Sequence, residues 1–226
     1  MTTVRRRGFN NAVTRFRNFA APAYDLQVLQ RWVYRPAQDE VVAQLQTDGS
    51  RRVADIACGT GVLADRIECE LHPDKVYGVD MSEGMLAQAQ ARSSKVQWLR
   101  GPAEQLPVGD GTLDAVVTTS AFHFFDQPAA LREFHRALSA GGLAAVATIG
   151  PLATPSAASS AASALRHPGE SRAHIPSSSE MRALFEDAGF TIREQHRVRR
   201  PVWTRIISDL ITVGAKSGLT GMTYRA

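Results

Sequence analysis

Between residues 52 and 148, short apolar runs alternate with stretches whose apolar residues recur at helical spacing, and nothing else in the chain restricts its fold as strongly. Arg52–Ala57, Lys75–Val79, Val96–Leu99, Leu113–Thr118 and Leu143–Thr148 read as strands. Val62–Leu71, Glu83–Arg92 and Ala129–Leu138 read as helices, the first with Val62, Leu63, Ile67 and Leu71 inward, the last with Leu131, Phe134 and Leu138 on one face. Asp126 is placed to cap that last helix and Gly141 to stop it. Strands joined by single helices and short connections must run parallel with right-handed crossovers. The expected architecture is a doubly wound, mostly parallel α/β sheet.

The flanks follow other rhythms. Phe9, Val13, Phe16 and Phe19 give one helical pattern among Arg5, Arg7, Arg15 and Arg17; Leu26, Leu29, Trp32 and Val33 give a second; Val41, Val42 and Leu45 a third. Residues 150–176 are rich in Ser, Ala and Pro and read as a long loop or lid. Ser177 and Glu180 form a capping box ahead of an apolar stripe of Met181, Leu184, Phe185 and Ala188, and Gly189 ends that helix. Phe190–Val198 reads as a strand and Trp203–Val213 as a helix. The expectation is one domain over 1–226: a helical cap (1–48), a core (50–150), the loop (150–176) and a helix-strand-helix end (177–226).

Composition narrows the classes further. At 226 residues and 44% hydrophobic, the chain can bury a core, and no apolar run reaches the roughly 18 residues of a membrane span. Cys58 and Cys69 give neither a disulfide framework nor a metal-ligand pattern, so a reducing cytoplasm is the expected setting. The N-terminus lacks the apolar region of a secretory signal, and the chain reads as a whole protein. Residues 1–35 hold seven Arg and one acid, a charge of +6 against a total of +4. That segment reads as a solvated face or a lid helix; the alternative is a lipid surface met by Phe9, Val13 and Phe16 with the arginines on its headgroups. A nucleic-acid partner is not expected, because no aromatic residues interleave the basic positions Arg193, Arg197, Arg199 and Arg200.

The chemistry concentrates at VADIACGTG, residues 53–61. Gly59 and Gly61 follow a strand and open a helix, where glycine allows positive φ and close approach of a ligand to the backbone. Asp80 ends the next strand 19 residues after Gly61, where a carboxylate can accept both hydroxyls of a ribose. The glycine spacing also fits a dinucleotide fingerprint. Asp55 separates the two readings, since a pyrophosphate disfavours a carboxylate beside it and an ammonium group favours one. Asp55 could otherwise cap the turn through backbone N–H groups.

Four segments, VADIACGTG, VYGVDMSEGML, GPAEQLPVGDGTLDAV and AFHFFDQPAALREFHRALSAGG, resemble the class I S-adenosylmethionine-dependent methyltransferases, most closely the branch with ubiquinone/menaquinone-type and small-molecule methyltransferases. The resemblance implies the Rossmann-like methyltransferase fold and S-adenosyl-L-methionine as cofactor. It implies that Asp55, Ala57, Gly59 and Gly61 contact the amino-acid tail, that Asp80 holds the ribose, and that Met81 packs on the adenine. Ala103 and Glu104 would flank the adenine, with Pro102 where relatives often carry an acid. Ser120 would line the methyl-transfer edge and Tyr24 would close over the cofactor. Met81 as plain core and Glu104 as a surface acid are the structural alternatives.

Methyl transfer is an in-line displacement, and His123, in AFHFF, is the candidate base for an acceptor that must lose a proton. It could instead position substrate or hold its loop. Phe122, Phe124 and Phe125 are candidates for an apolar acceptor pocket. The expected function is methylation of a small molecule. The alternatives are a cofactor-binding protein without turnover, acting through partners, and an NAD-dependent oxidoreductase. The family's fold ends in an antiparallel strand pair, of which one strand is clear here; an open edge could pair with a second subunit as a homodimer.

Overall fold

The computed structural model describes residues 30–150, 174–200 and 208–218. A five-residue π-turn, Gln30–Tyr34, leads into helix α1 (Arg35–Asp48). The alternating core follows as β1 (Arg52–Ile56), α2 (Val62–Leu71), β2 (Lys75–Asp80), α3 (Glu83–Arg92), β3 (Gln97–Arg100), β4 (Leu113–Thr119), α4 (Gln127–Ala137) and β5 (Leu138–Gly150). The chain then supplies α5 (Ser178–Asp187), β6 (Phe190–Arg197) and β7 (Ser208–Lys216). The seven strands lie in the order β3-β2-β1-β4-β5-β7-β6. Strands β1 to β5 pair in parallel, and β7 runs antiparallel to both β5 and β6. The doubly wound expectation holds.

Period-two alternation sends side chains of each central strand to two separate apolar layers. Ala54, Ile56, Val116 and Val146 meet Leu131 and Phe134 of α4 and Met181 and Phe185 of α5. Val53, Ala115, Val117 and Ala145 meet Val41 and Leu45 of α1 and Leu63 and Ile67 of α2. Each fully buried Leu or Phe contributes about 1.5–3 kcal/mol. The capping box opens α5 as its sequence requires: Ser177 Oγ accepts from Glu180 N at 3.3 Å, and Glu180 Oε2 accepts from Ser177 N at 2.7 Å.

The structure corrects the reading of the C-terminus. Of the helix expected at Trp203–Val213, residues 208–213 are strand β7, and 203–207 lie outside the described residues. A strand between β5 and β6, covered on both faces, buries consecutive residues such as Ile211, Thr212 and Val213 and shows no alternation. The antiparallel pair is therefore complete, which removes the open final strand as a reason for a second subunit. Helix α4 ends at Ala137, short of Gly141, because the chain enters β5 directly; Gly141 (φ +82°) lies within that irregular strand. Asp126 occupies the N-cap position of α4 but makes no side-chain cap bond. The pattern around Phe9–Phe19, Leu26 and Leu29, the basic N-terminus and residues 151–173 of the long loop lie outside the described residues. Among the described residues, no helix is long and apolar enough to cross a membrane.

Candidate active site

Strand β1 ends in a turn that uses three left-handed residues, Ala57 (φ +56°), Gly59 (φ +57°) and Gly61 (φ +79°). The turn is tied from several sides. Cys58 N donates to Val79 O (3.1 Å), Gly61 N to Cys58 O (3.0 Å), and Arg92 Nε to Thr60 O (2.9 Å). Asp80 accepts from Gly59 N at 2.9 Å and from Ser82 N at 2.8 Å, joining the turn to the start of α3. Its carboxylate thus shapes the loop as well as standing at the end of β2.

The two glycines answer to different constraints. A β-carbon on Gly59 would meet nothing within 4 Å, so only its φ demands glycine, and its open side faces a cleft. On Gly61 it would lie 2.9 Å from Trp98 Cζ3 and 3.0 Å from Ala89 Cβ. Gly61 is glycine because Trp98 packs over it as well as because of its φ.

The cleft holds about 240 Å³ at the carboxyl ends of β1 and β4. These strands are neighbours although α2, β2, α3 and β3 intervene in sequence, the crevice where doubly wound sheets bind ligands. Of the residues expected at the site, Asp55, Ala57, Gly59, Ser120 and His123 line it. Ser120, like Ala57, is a non-glycine residue at positive φ (+56°). Two such residues at the ends of adjacent strands store about 1–3 kcal/mol each, a cost that clusters at functional sites.

Asp55 is the cleft's unusual group. It is 2% exposed, and its Oδ2 has no hydrogen-bond partner. Burial pushes its carboxyl well above the usual carboxylate range; the nearby Asp80 charge adds to this, and a bond from the Ala64 N–H opposes it. His123 sits in a short 3-10 turn, Phe122–Phe124, with its ring 4.0 Å from that of Phe124. Its carbonyl accepts from His174 N at 3.2 Å, and Gln127 Nε2 donates to His174 O at 2.6 Å.

Gly61, Asp80, Met81, Ala103 and Glu104 do not line this cleft. Ala103 is buried in the apolar layer with Leu106. Glu104 accepts from Asp126 N at 2.7 Å, tying the loop after β3 to the start of α4. Of the three phenylalanines, Phe124 lines the cleft, while Phe122 is core and Phe125 packs edge-on against it. Tyr24 lies outside the described residues.

Tyr34, Gln38, Thr60 and Met85 line the cleft without having been expected there. Gln38 carried a signal: it stands at the 38-41-42-45 stripe of α1, where its neighbours are apolar, and it is 6% exposed. Tyr34 stands directly before the helix-opening Arg35-Pro36, and only tertiary structure brings it to the cleft.

Residues 54–146 match the family model of the methyltransferase domain. The chain is 31% identical over 134 residues to the malonyl-(acyl-carrier protein) O-methyltransferase of Dechloromonas aromatica, covering 58% of this chain and 48% of that protein. It is 38% identical over 97 residues to the demethylmenaquinone methyltransferase of Thermus thermophilus, covering 41% and 44%. The chain thus spans less than half the length of these two relatives. In fold, it superposes on a protein solved in complex with the Haloferax volcanii Trm112 methyltransferase activator, with a TM-score of 0.74 at 21% identity over 89% of this chain and 97% of that one. The resemblance carried by the four sequence segments is borne out over this core.

Proposed function

We propose that this chain, whose residues 54–146 match the methyltransferase domain, is a class I S-adenosylmethionine-dependent methyltransferase that methylates a small-molecule acceptor in a reducing cytoplasm. What carries the reading is the Asp55 carboxylate, buried at the cleft with one oxygen unsatisfied by the protein. A buried acceptor of that kind costs about 1–3 kcal/mol until a partner arrives. The cofactor's ammonium group is such a partner, whereas a dinucleotide would bring a pyrophosphate to the same turn and be repelled.

When bound, S-adenosylmethionine supplies a methyl group made electrophilic by its sulfonium. Asp55, Ala57 and Gly59 would hold the amino-acid tail, with Gly61 shaping the turn from beneath. Asp80, which accepts from Gly59 N and Ser82 N, would hold the ribose hydroxyls. Met81, Ala103 and Glu104 would border the adenine. The cleft is smaller than the roughly 300–1,000 Å³ of small-molecule sites, so a ligand of this size would extend beyond it toward those residues. Ser120 and His123 border the acceptor edge, where His123 would take a proton from the acceptor, and Phe124 and Tyr34 would exclude water.

Titration calorimetry with S-adenosylmethionine, S-adenosylhomocysteine and NAD tests the reading. Micromolar binding of the first two, lost in Asp80→Ala and absent for NAD, is the expected result. NAD binding in their place would overturn it.

A further inference from the structure

Helix α1 is fastened to the C-terminal strands by polar contacts along one side. Glu40 meets His196 at 3.4 Å, Gln44 donates to Glu194 at 2.6 Å, and Asp48 pairs with Arg193 at 2.8 Å. These contacts are partly or largely exposed, and pairs of that kind contribute little. The helix's cleft end is held differently. Arg200 Nη1 donates to Trp32 O at 2.8 Å and Nη2 to Val33 O at 2.7 Å, and the same guanidinium pairs with Asp209 on β7. Both charged side chains are deeply buried, Arg200 at 2% exposed and Asp209 at 3%.

That arrangement is a poor device for stability alone. Arg200 Nε and Asp209 Oδ1 are buried with no hydrogen-bond partner. Burial raises the Asp209 carboxyl even against the Arg200 charge beside it. A buried pair that is incompletely satisfied often contributes less than apolar packing of the same volume. What it does provide is geometry: a planar fork with two donors on consecutive carbonyls and a third contact to a fixed strand. The next residue after those carbonyls is Tyr34, which lines the cleft, and one turn further on stands Gln38, which lines it too.

We propose that Arg200, oriented by Asp209, is a positioning residue for the cleft: its grip on the Trp32 and Val33 carbonyls sets where Tyr34 stands against the cofactor loop. The inference rests on the cofactor reading above and deepens it, because it makes the β6–β7 end of the chain a determinant of cofactor affinity. Arg200 does not touch the ligand; it acts through the backbone before Tyr34.

The test is a double-mutant cycle read by calorimetry with S-adenosylhomocysteine on the full chain. Arg200→Lys keeps the charge but cannot reach three acceptors in one plane. It is expected to weaken binding about tenfold, and Tyr34→Ala by a similar factor. The double variant should bind no more weakly than Tyr34→Ala. A wild-type affinity in Arg200→Lys, or losses that multiply, would overturn the proposal. A second readout does not need the ligand. With 5-fluorotryptophan incorporated, the Trp32 fluorine resonance, assigned through Trp32→Phe, should shift in Arg200→Lys while that of Trp98 stays. An unmoved Trp32 resonance overturns the positioning role. Wild-type protein that shows no S-adenosylhomocysteine binding refutes the cofactor reading, and the proposal with it, whatever the fluorine spectrum shows of the grip itself.

Discussion

Asp55→Asn should stabilise the ligand-free protein and weaken cofactor binding at once. The side chain is almost fully buried, and one of its oxygens lacks a partner while the Ala64 N–H serves its carboxylate. At neutral pH the folded protein must either keep a proton on this carboxyl or bury a charge beside Asp80. Asparagine removes that choice and retains an oxygen for the Ala64 N–H, but its amide N–H₂ also seeks acceptors. The net gain is therefore about 1–2 kcal/mol out of the roughly 1–3 kcal/mol cost of an unsatisfied buried group. For a chain of this size, that raises Tm by about 2–8 °C. An ammonium group on the ligand would lose a charge-assisted hydrogen bond of about 1.5–3 kcal/mol, or roughly 10–150-fold in affinity. Differential scanning calorimetry of the ligand-free protein and titration with S-adenosylhomocysteine measure the two effects. A lower Tm together with unchanged affinity would refute the argument, because it would make Asp55 a structural cap of the turn.

The pH dependence follows from the same group: its folded carboxyl holds a proton above the unfolded value of about 3.9, so its contribution favours folding below that value and is lost as pH rises through the folded one. Relative to Asp55→Asn, wild-type Tm should therefore fall, and S-adenosylhomocysteine affinity rise, as pH increases through that window; parallel curves would refute this. Gly61→Ala meets both an unfavourable φ and the Trp98 ring, and should lose about 2–4 kcal/mol, seen as a drop in Tm of roughly 4–16 °C. Gly59→Ala meets no neighbour, so it should cost only about 1–2 kcal/mol while weakening S-adenosylhomocysteine binding; equal melting losses for the two would contradict the division of roles. Ser177→Ala removes half of the capping box and should cost about 1 kcal/mol, lowering Tm by about 2–4 °C with S-adenosylhomocysteine affinity unchanged.

The parallel half of the molecule was legible because its signals are local. Each helix pattern and each short apolar run between residues 52 and 148 states its own period, and Asp55 stands out as a charge inside the run Val53–Ile56. Strand β7 was not legible, since a strand buried on both faces has no alternation and its apolar residues also fit a helical stripe. The same limit hid the partner of Gly61: Trp98 lies 37 residues away, and only the parallel pairing of β2 with β3 brings it over the turn. Glu104 was legible as an acid but not as a tie to Asp126, which depends on the path of the loop after β3.

The same contrast bears on where specificity arises. Helix α2 packs on one face of the sheet with Val53 and Ala115, and α4 packs on the other with Ala54 and Val116. Chains leaving β1 and β4 must therefore diverge, and the crevice between them is a consequence of topology that any doubly wound core with this strand order would share. Its border is not: Tyr34 and Gln38 come from the segment before β1, outside the residues that match the family model. The backbone before Tyr34 is gripped by Arg200, which pairs with Asp209, both from the other end of the chain and equally outside that match. The shared core thus accounts for a cleft with an acid in it, and the two flanks, joined through one buried guanidinium, account for its shape. Substitutions that alter ligand preference without disturbing the core should accordingly fall on the Tyr34 and Arg200 side of the cleft, and not in the turn from Asp55 to Gly61.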